Sequence, residues 1–197
     1  MVRNKLVYGL VLAGGRSKRM GHDKALLRVD GETQLSRAVH LLELFVDCVF
    51  VSVRIDQQDE PERSKFKQIV DRYLEFGPLA GILSAIEEHP DVGWLMLACD
   101  LPNVEELTLQ HLLDNKSSAH PFTAYKSSFD GLPEPLCAFY SAGTAPIIKT
   151  FVDEDIICPR KILICSDTHL LDQPNSEALD NINTLEDLAR TGIKVAL

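Results

Sequence analysis

The stretch LVLAGGRSKRMGHDKALL, residues 10–27, is the part of the sequence that most restricts the fold. An apolar run of strand length ends there at Gly14 and Gly15. Four cations follow: Arg16, Lys18, Arg19 and Lys24. Glycine has no Cβ, so the backbone can turn sharply and bring its N–H groups close to phosphate oxygens. The stretch therefore indicates either a phosphate-binding loop with neutralising cations or a strand-to-helix turn that needs glycine for geometry alone.

The composition is that of an acidic chain of moderate size. Its 197 residues, 45% of them hydrophobic, suffice for one compact domain over residues 1–197 with a buried core. The net charge of −9 argues against nucleic-acid binding, because a nucleic-acid groove needs a basic face. No apolar run approaches the roughly 20 residues of a membrane span, so we expect no membrane insertion. The cations after Gly15 are a local exception to the acidic balance.

The cysteines indicate a reducing compartment. Cys48, Cys99, Cys137, Cys158 and Cys165 are odd in number, widely spaced and without a CxxC pair. This pattern argues against both a disulfide framework and a structural zinc site. The N-terminal apolar stretch is short and runs directly into the cationic loop, which does not match a secretory signal. We therefore expect a cytoplasmic protein.

Strand-like and helix-like segments alternate along the chain. KLVYGLVLA (5–13), DCVFVSVR (47–54) and GWLMLACD (93–100) are apolar runs of the kind found in strands buried on both faces. ETQLSRAVHLLELF (32–45) and GPLAGILSAIEEH (77–89) carry apolar residues at helical spacing. This order predicts an α/β fold with a mostly parallel sheet. Ligands bind such sheets beyond the carboxyl ends of the strands.

The connection over residues 55–66, IDQQDEPERSKF, is strongly polar and predicts a solvated loop. The glycine stretch itself contains neither GxGxxG nor GxxxxGK[ST], so its loop is neither a dinucleotide fingerprint nor a P-loop. Asp100 ends the third apolar run, at the carboxyl end of a predicted strand. Because Mg²⁺ prefers hard oxygen ligands, Asp100 is either a metal ligand or a cap of the following loop.

Four blocks resemble those of one enzyme family. LAGGRSKRMGHDKALL is similar to the signature LAGGxSxRMGxDKxLL of nucleotidyltransferases like molybdenum cofactor guanylyltransferase. DRYLEFGPLAGILSAI, LACDLPNV and DNINTLEDLA follow in the family's order. The resemblance implies a Rossmann-like three-layer α/β domain of the nucleotide-diphospho-sugar transferase type. It also implies Mg²⁺-dependent transfer of a nucleoside monophosphate from an NTP to a phosphorylated acceptor, with release of pyrophosphate.

The resemblance assigns nucleotide-handling roles by position. It implies that Lys24 contacts the α/β-phosphates, Arg19 the leaving pyrophosphate, and that Asp100 binds both metal and nucleotide. The remaining implied nucleotide contacts are Leu12, Ala13, Gly14, Gly15, Asp71 and Gly77. Gly81 either lets the backbone approach the ligand or serves close helix packing. Where the family often carries Asn in the second strand, this chain has Val53 beside Ser52.

The acceptor side resembles the family less closely. Asn181 and Asn183 match a family pair beside the catalytic site, and Asp180 or Asn183 is a candidate second metal contact. An Asn cap on the following helix explains the same residues. Arg160 and Lys161 either bind the acceptor phosphate or form a solvated basic turn. The family's usual His-Pro pair stands here as Glu134-Pro135.

The LAGG form of the signature favours GTP as donor, and the best-known branch of the family uses molybdopterin as acceptor. We therefore expect a guanylyltransferase that makes the guanine dinucleotide cofactor, in transient contact with pterin-delivering or apo-molybdoenzyme proteins. The alternatives are a cytidylyltransferase, a transferase for another small phosphate ester, or a nucleotide-binding accessory protein without turnover. Asp71 is expected to accept the two adjacent donors of guanine, to hold the ribose, or to cap a turn.

Overall fold

The computed structural model describes residues 6–14, 23–29, 31–180 and 195–196. The strands are β1 Val7–Leu12, β2 Arg28–Val29, β3 Glu32–Thr33, β4 Cys48–Val53, β5 Gln68–Val70, β6 Gly93–Ala98, β7 Phe122–Lys126, β8 Pro133–Tyr140, β9 Thr168–Leu171 and β10 Val195–Ala196. The helices are α1 Gln34–Glu43, α2 Pro78–Glu88, α3 Glu106–Asp114, α4 Ala145–Asp153 and α5 Pro159–Cys165. Strands and helices therefore alternate through the first half of the chain, as βαβ units require.

Seven strands form the main sheet in the order β5-β4-β1-β6-β8-β7-β9. All neighbours are parallel except β8, which runs antiparallel to β6 and β7. Strands β2, β3 and β10 form a small second sheet. Because β1, β4, β5 and β6 run in one direction, Gly14, Arg54, Asp71 and Asp100 all emerge at the same edge. That edge is where an α/β sheet binds ligands.

Two apolar clusters cover the two faces of the main sheet. One includes Leu35 and Leu42 of α1 and Leu109 of α3, and the other includes Ile82 of α2 and Ile148 of α4. The sheet residues themselves, such as those of β6, are buried along their whole length. A sheet covered on both faces needs continuous apolar strands, which explains why the strand segments lack polar alternation. The result is a three-layer α/β fold with a mostly parallel sheet, as the sequence predicts.

The predicted elements agree with the structure except in one segment. The three predicted strands contain β1, β4 and β6, and the predicted helices contain α1 and α2. The prediction of a solvated loop over residues 55–66 is wrong for Gln57 and Arg63, which are buried. The segment instead forms two 3-10 turns, Ile55–Gln57 and Arg63–Lys65. Within the described part of the chain, no helix has the length and apolar character to cross a membrane.

Candidate active site

Lys24 and Asp100 meet at the carboxyl edge of the sheet, with 3.7 Å between Lys24 Nζ and Asp100 Oδ2. Lys24 begins a 3-10 turn whose N-cap is Asp23, and Asp23 Oδ1 accepts a 3.1 Å hydrogen bond from the Ala25 N–H. Asp100 lies two residues after β6 ends. Both side chains are largely shielded, at 21% and 31% exposure. The structure therefore brings together the cation and the carboxylate that the sequence singles out separately.

The end of β1 leads directly to this pair. Leu12 accepts a backbone hydrogen bond from Cys99, which joins the ends of β1 and β6. Ala13 is buried, and Gly14 lies against the Asp71 carboxylate. A Cβ on Gly14 would lie 3.0 Å from Asp71 Oδ2, so only glycine lets this carboxylate approach the loop without displacement. The glycine thus serves a close approach.

Asp71 is held at the sheet edge by two contacts. Its N–H donates to the Val53 carbonyl at 2.8 Å, and its Oδ1 accepts a 2.7 Å hydrogen bond from Ser52 Oγ. Burial raises the pKa of Asp71, while the Ser52 hydrogen bond and the charge of Arg54 act in the opposite direction. Val53, at the family's Asn position, is buried. Ser52 is therefore the β4 side chain that reaches Asp71.

The two glycines near α2 serve different purposes. Gly77 is the N-cap of α2 and has a φ of +57°, a conformation that L side chains rarely adopt. Gly81 lies inside the helix, and a Cβ there would stand only 2.1 Å from Ser52 Oγ. Close packing of α2 against β4 therefore accounts for Gly81, the second of the two explanations that the sequence allows.

Arg63 is a site-forming residue that the sequence analysis missed. Its side chain is fully buried, and its Nη2 donates to the Ala13 carbonyl at 2.9 Å and to Asp23 Oδ2 at 2.7 Å. Arg54, which immediately precedes the polar segment, donates to the Gly14 carbonyl. Charge in a polar segment usually marks a solvated face, so composition alone could not reveal either contact. The only hint is Glu60, three residues before Arg63, which pairs with it.

The sequence model of the family described as the MobA-like NTP transferase domain matches residues 9–165. The match runs from β1 to the end of α5 and includes both Lys24 and Asp100. The chain belongs to the MobA-like NTP transferase family. It is accordingly a nucleotidyltransferase, and its sheet has the nucleotide-diphospho-sugar transferase architecture.

Curated relatives of this MobA-like NTP transferase are named for molybdenum cofactor synthesis. A molybdenum cofactor biosynthesis bifunctional protein of Synechocystis is 35% identical over 181 residues. That match covers 92% of this chain but 52% of the relative, so the chain spans about half the relative's length. A probable molybdenum cofactor guanylyltransferase of Nostoc is 31% identical over 186 residues, covering 91% of this chain and 87% of the relative.

A solved structure shares the fold of this MobA-like NTP transferase. It is molybdopterin-guanine dinucleotide biosynthesis protein A from Archaeoglobus fulgidus, with a TM-score of 0.76. The superposition covers 93% of this chain and 95% of that one. At 23% identity, the likeness establishes a common fold and leaves substrates to other evidence.

The donor set of the MobA-like site suits a divalent cation that keeps most of its waters. Within the described ranges, no cluster of three or more metal-binding side chains occurs. Mg²⁺ typically takes one or two carboxylates plus substrate phosphates and water, and Asp100 supplies one such carboxylate. Burial raises the pKa of Cys99, and the negative charges of Asp100 and Asp23 raise it further. The Arg63 charge acts in the opposite direction, so carboxylates and cations both surround this thiol.

The predicted acceptor cations differ in their surroundings. Arg160 donates to the Pro133 carbonyl at 3.1 Å, to Asp130 at 2.9 Å and to Glu134 at 3.2 Å. Lys161, beside it on α5, is exposed. Pro133 begins β8, antiparallel to β6, so Arg160 lies at the carboxyl edge of β6. Asp130 and Glu134 already bind its guanidinium. An acceptor phosphate would have to displace these carboxylates from Arg160.

Several predicted site residues lie outside the described part of the chain. These residues are Gly15, Arg16, Lys18, Arg19, Asn181 and Asn183. Their proposed roles stay predictions. Asp180, the candidate second metal contact, is described and exposed, and its N–H donates to the Glu177 carbonyl.

Proposed function

We propose that this chain transfers GMP from GTP to the phosphate of molybdopterin, forming the guanine dinucleotide cofactor and releasing pyrophosphate, with Mg²⁺ as the cation. The observation that carries the proposal is the Lys24–Asp100 pair beside the end of β1, where Leu12, Ala13 and Gly14 lie. An ammonium and a carboxylate beside a glycine-containing strand terminus suit a magnesium triphosphate. The name of the Nostoc relative, a probable molybdenum cofactor guanylyltransferase, supports guanine as the base, and both relatives' names support an acceptor from molybdenum cofactor synthesis.

The reaction needs positioned charge more than a reactive side chain. An oxygen of the acceptor phosphate attacks the α-phosphorus of GTP, a new P–O bond forms, and the α–β P–O bond breaks to release pyrophosphate. Negative charge builds on the α-phosphate oxygens and on the leaving group, and Lys24 offsets it from a shielded position. Asp100 would hold the cation, which supplies further neutralisation of the phosphates when bound. Arg19 is proposed for the leaving pyrophosphate.

Asp71 is the proposed reader of the guanine edge. Guanine presents N1–H and its 2-amino group side by side, and a carboxylate can accept both, whereas cytosine offers one donor beside an acceptor. Ser52 Oγ fixes the carboxylate through Oδ1, and Oδ2 faces the Gly14 backbone. A carboxylate held in one orientation next to the loop supports selection of GTP over CTP. Contact with the ribose, with no choice between bases, is the alternative.

The acceptor half is proposed to lie toward β8 and α5, where Arg160 and Lys161 stand, with Asn181 and Asn183 completing it. A transient contact with proteins that deliver the pterin or receive the product belongs to the same proposal. All five cysteines are free thiols in the structure, which supports our assignment to the reducing cytoplasm.

The experiment supplies each of the four NTPs with Mg²⁺ and either molybdopterin or a panel of small phosphate esters, and measures pyrophosphate. We expect release only when GTP and molybdopterin are combined. Release with CTP would favour the cytidylyltransferase alternative, and release with another ester would replace the acceptor. Nucleotide binding by calorimetry without release under any condition would identify an accessory binding protein instead.

A further inference from the structure

Arg63 is a buried charge that contacts both ends of the predicted phosphate loop. Its side chain has 0% exposure, and one nitrogen, Nη2, donates to both Ala13 O and Asp23 Oδ2. Its Nη1 lies 3.3 Å from Glu60 Oε2, which also accepts from the Arg63 backbone N–H. Among the described residues Nε is buried without a partner, so the three hydrogen bonds of Nη1 and Nη2 hold this guanidinium in place.

Arg63 links Ala13 and Asp23, the residues that flank the predicted phosphate loop. Ala13 follows β1, and Asp23 precedes the turn that carries Lys24. The Asp23 carboxylate bonds Arg63 through Oδ2 while its Oδ1 caps the Ala25 N–H. The position of Lys24 therefore depends on Asp23, and the position of Asp23 depends on Arg63.

The contact with Ala13 fixes a peptide group as well. A trans peptide is planar, so the N–H of Gly14 points away from the Ala13 carbonyl in the same plane. Holding that carbonyl toward Arg63 turns the Gly14 N–H to the opposite side. One guanidinium thus orients a backbone donor and, through Asp23, a side-chain cation.

We propose that Arg63 is a positioning residue for nucleotidyl transfer, acting through Lys24 and the Gly14 peptide without touching the substrate. The inference rests on the proposed function, because it assumes that Lys24 serves phosphate transfer. Lysine cannot take the place of Arg63 in this role. A lysine side chain is one bond shorter than arginine and ends in a point charge, so it cannot reach both Ala13 and Asp23 with the same geometry.

The test is a double-mutant cycle between Arg63→Lys and Lys24→Ala, read as kcat for pyrophosphate release. Displacing a positioned group by about 1 Å can lower turnover on the order of 10²-fold, so we expect Arg63→Lys to lower kcat by about 10- to 100-fold. In the Lys24→Ala background, the same change should lower kcat by a clearly smaller factor, because only the contribution through the Gly14 peptide remains. Equal losses in both backgrounds would overturn the proposal and leave Arg63 a structural residue.

The matched control is Lys65→Met, in the same 3-10 turn. Lys65 is exposed and pairs with Glu62, so its loss should change kcat by less than about twofold. Circular dichroism melts establish that each variant is folded at the assay temperature. Should Arg63→Lys fail to fold, Asp23→Asn tests the same link from its other end, since asparagine Oδ1 can still cap Ala25. The same non-additivity with Lys24→Ala is expected, and additive losses would overturn the proposal.

Amide hydrogen exchange separates this inference from the proposed function. The N–H groups of Ala25 and Leu26 both donate to Asp23. Arg63→Lys should speed their exchange at least about tenfold, because the turn at Asp23 could then open without the rest of the protein unfolding. Exchange of the α2 amides should stay unchanged. Unchanged exchange at Ala25 and Leu26 would overturn the link. Absence of pyrophosphate release from the wild type would refute the proposed function, whereas faster exchange in the variant would still support Arg63 as the anchor of Asp23.

Discussion

Two lysine–aspartate pairs stand at the same edge of the main sheet and differ in almost every respect. Lys126 Nζ and Asp172 Oδ1 lie 2.8 Å apart, where β7 ends and β9 has just ended, and are 43% and 87% exposed. Lys24 and Asp100 lie 3.7 Å apart but are 21% and 31% exposed. The shorter pair is therefore the one in water, and the longer pair is the shielded one.

The difference shows that a short ion-pair distance is a poor guide to function. An exposed pair contributes roughly 0–1 kcal/mol, because water and side-chain entropy offset the attraction. A shielded pair acts at a lower effective dielectric, so each of its charges interacts more strongly with a third charge. Lys24 is also fixed through the Asp23 cap, whereas Lys126 lies at the end of its strand with an exposed partner. The shielded pair is the one suited to receive a phosphate and a cation.

The largest difference between the two pairs is expected when their aspartates are substituted. Asp100→Ala should abolish Mg²⁺-dependent pyrophosphate release, because Asp100 is the carboxylate proposed to hold the cation. The circular dichroism spectrum should stay nearly unchanged, because Asp100 lies at a strand end. Asp172→Ala, the matched control, should retain activity within about twofold and lose at most about 1 kcal/mol of stability. A variant lacking Asp100 that kept the wild-type Mg²⁺ dependence would assign the metal to another carboxylate.

The lysines form the second test. Lys24→Ala should keep the fold and lower kcat by about 10²- to 10³-fold, the usual effect of removing one preorganised charge contact. Lys126→Ala removes an equal charge from the same edge and should stay within about twofold, because its aspartate is already solvated. Comparable losses from the two substitutions would mean that shielding does not distinguish the pairs.

Asp71 extends the comparison to the base. If it reads the guanine edge, Asp71→Asn replaces one acceptor with a donor and should weaken GTP binding by about 1–3 kcal/mol, with little change for CTP. Competition titrations of both nucleotides against wild type and variant measure this difference. Equal losses would point to a ribose contact, and no loss for either would return Asp71 to a structural role.

The sequence predicts the frame of this site because its signals are local. Continuous apolar runs fix β1, β4 and β6, and Pro78 at the start of a helical stripe fixes α2. Parallel strands ending at one edge then bring the residues that follow them together. The placement of Lys24 near Asp100 follows from this topology together with the family motif.

The sequence does not reveal contacts that depend on three-dimensional burial. Arg63 lies in a polar segment that looks solvated, and only the folded chain shows that its guanidinium is buried against Ala13. Gly81 is explained by a Ser52 side chain from another element, 29 positions earlier in the printed sequence. Arg160 on α5 is likewise paired with Asp130 and Glu134, which come from the connection between β7 and β8 and from β8 itself. Periodicity and composition carry no information on such long-range pairs.

The smallest expected effect is a change in stability with pH, which reports how well the Asp71 carboxyl is shielded from water. Asp71 lies at the same sheet edge as Lys24 and Asp100. Burial raises the pKa of this carboxyl above its ordinary value near 3.9. Below that value both folded and unfolded chains bind the proton. As pH rises through the raised folded pKa, the unfolded chain has already ionised while the folded chain must ionise a buried group, so stability falls. Asparagine at position 71 does not ionise, so the Asp71→Asn variant lacks this loss of stability.

Unfolding free energies from urea titrations between about pH 3.5 and 7 test this sign. The stability of Asp71→Asn relative to wild type should increase as pH rises from about 4 toward neutrality. Ser52→Ala should make the wild-type loss steeper, because the Ser52 hydrogen bond favours the charged form of Asp71. A relative stability that moved the other way with pH would mean that the folded state favours the carboxylate, and that the edge beside Gly14 is less shielded than its geometry indicates.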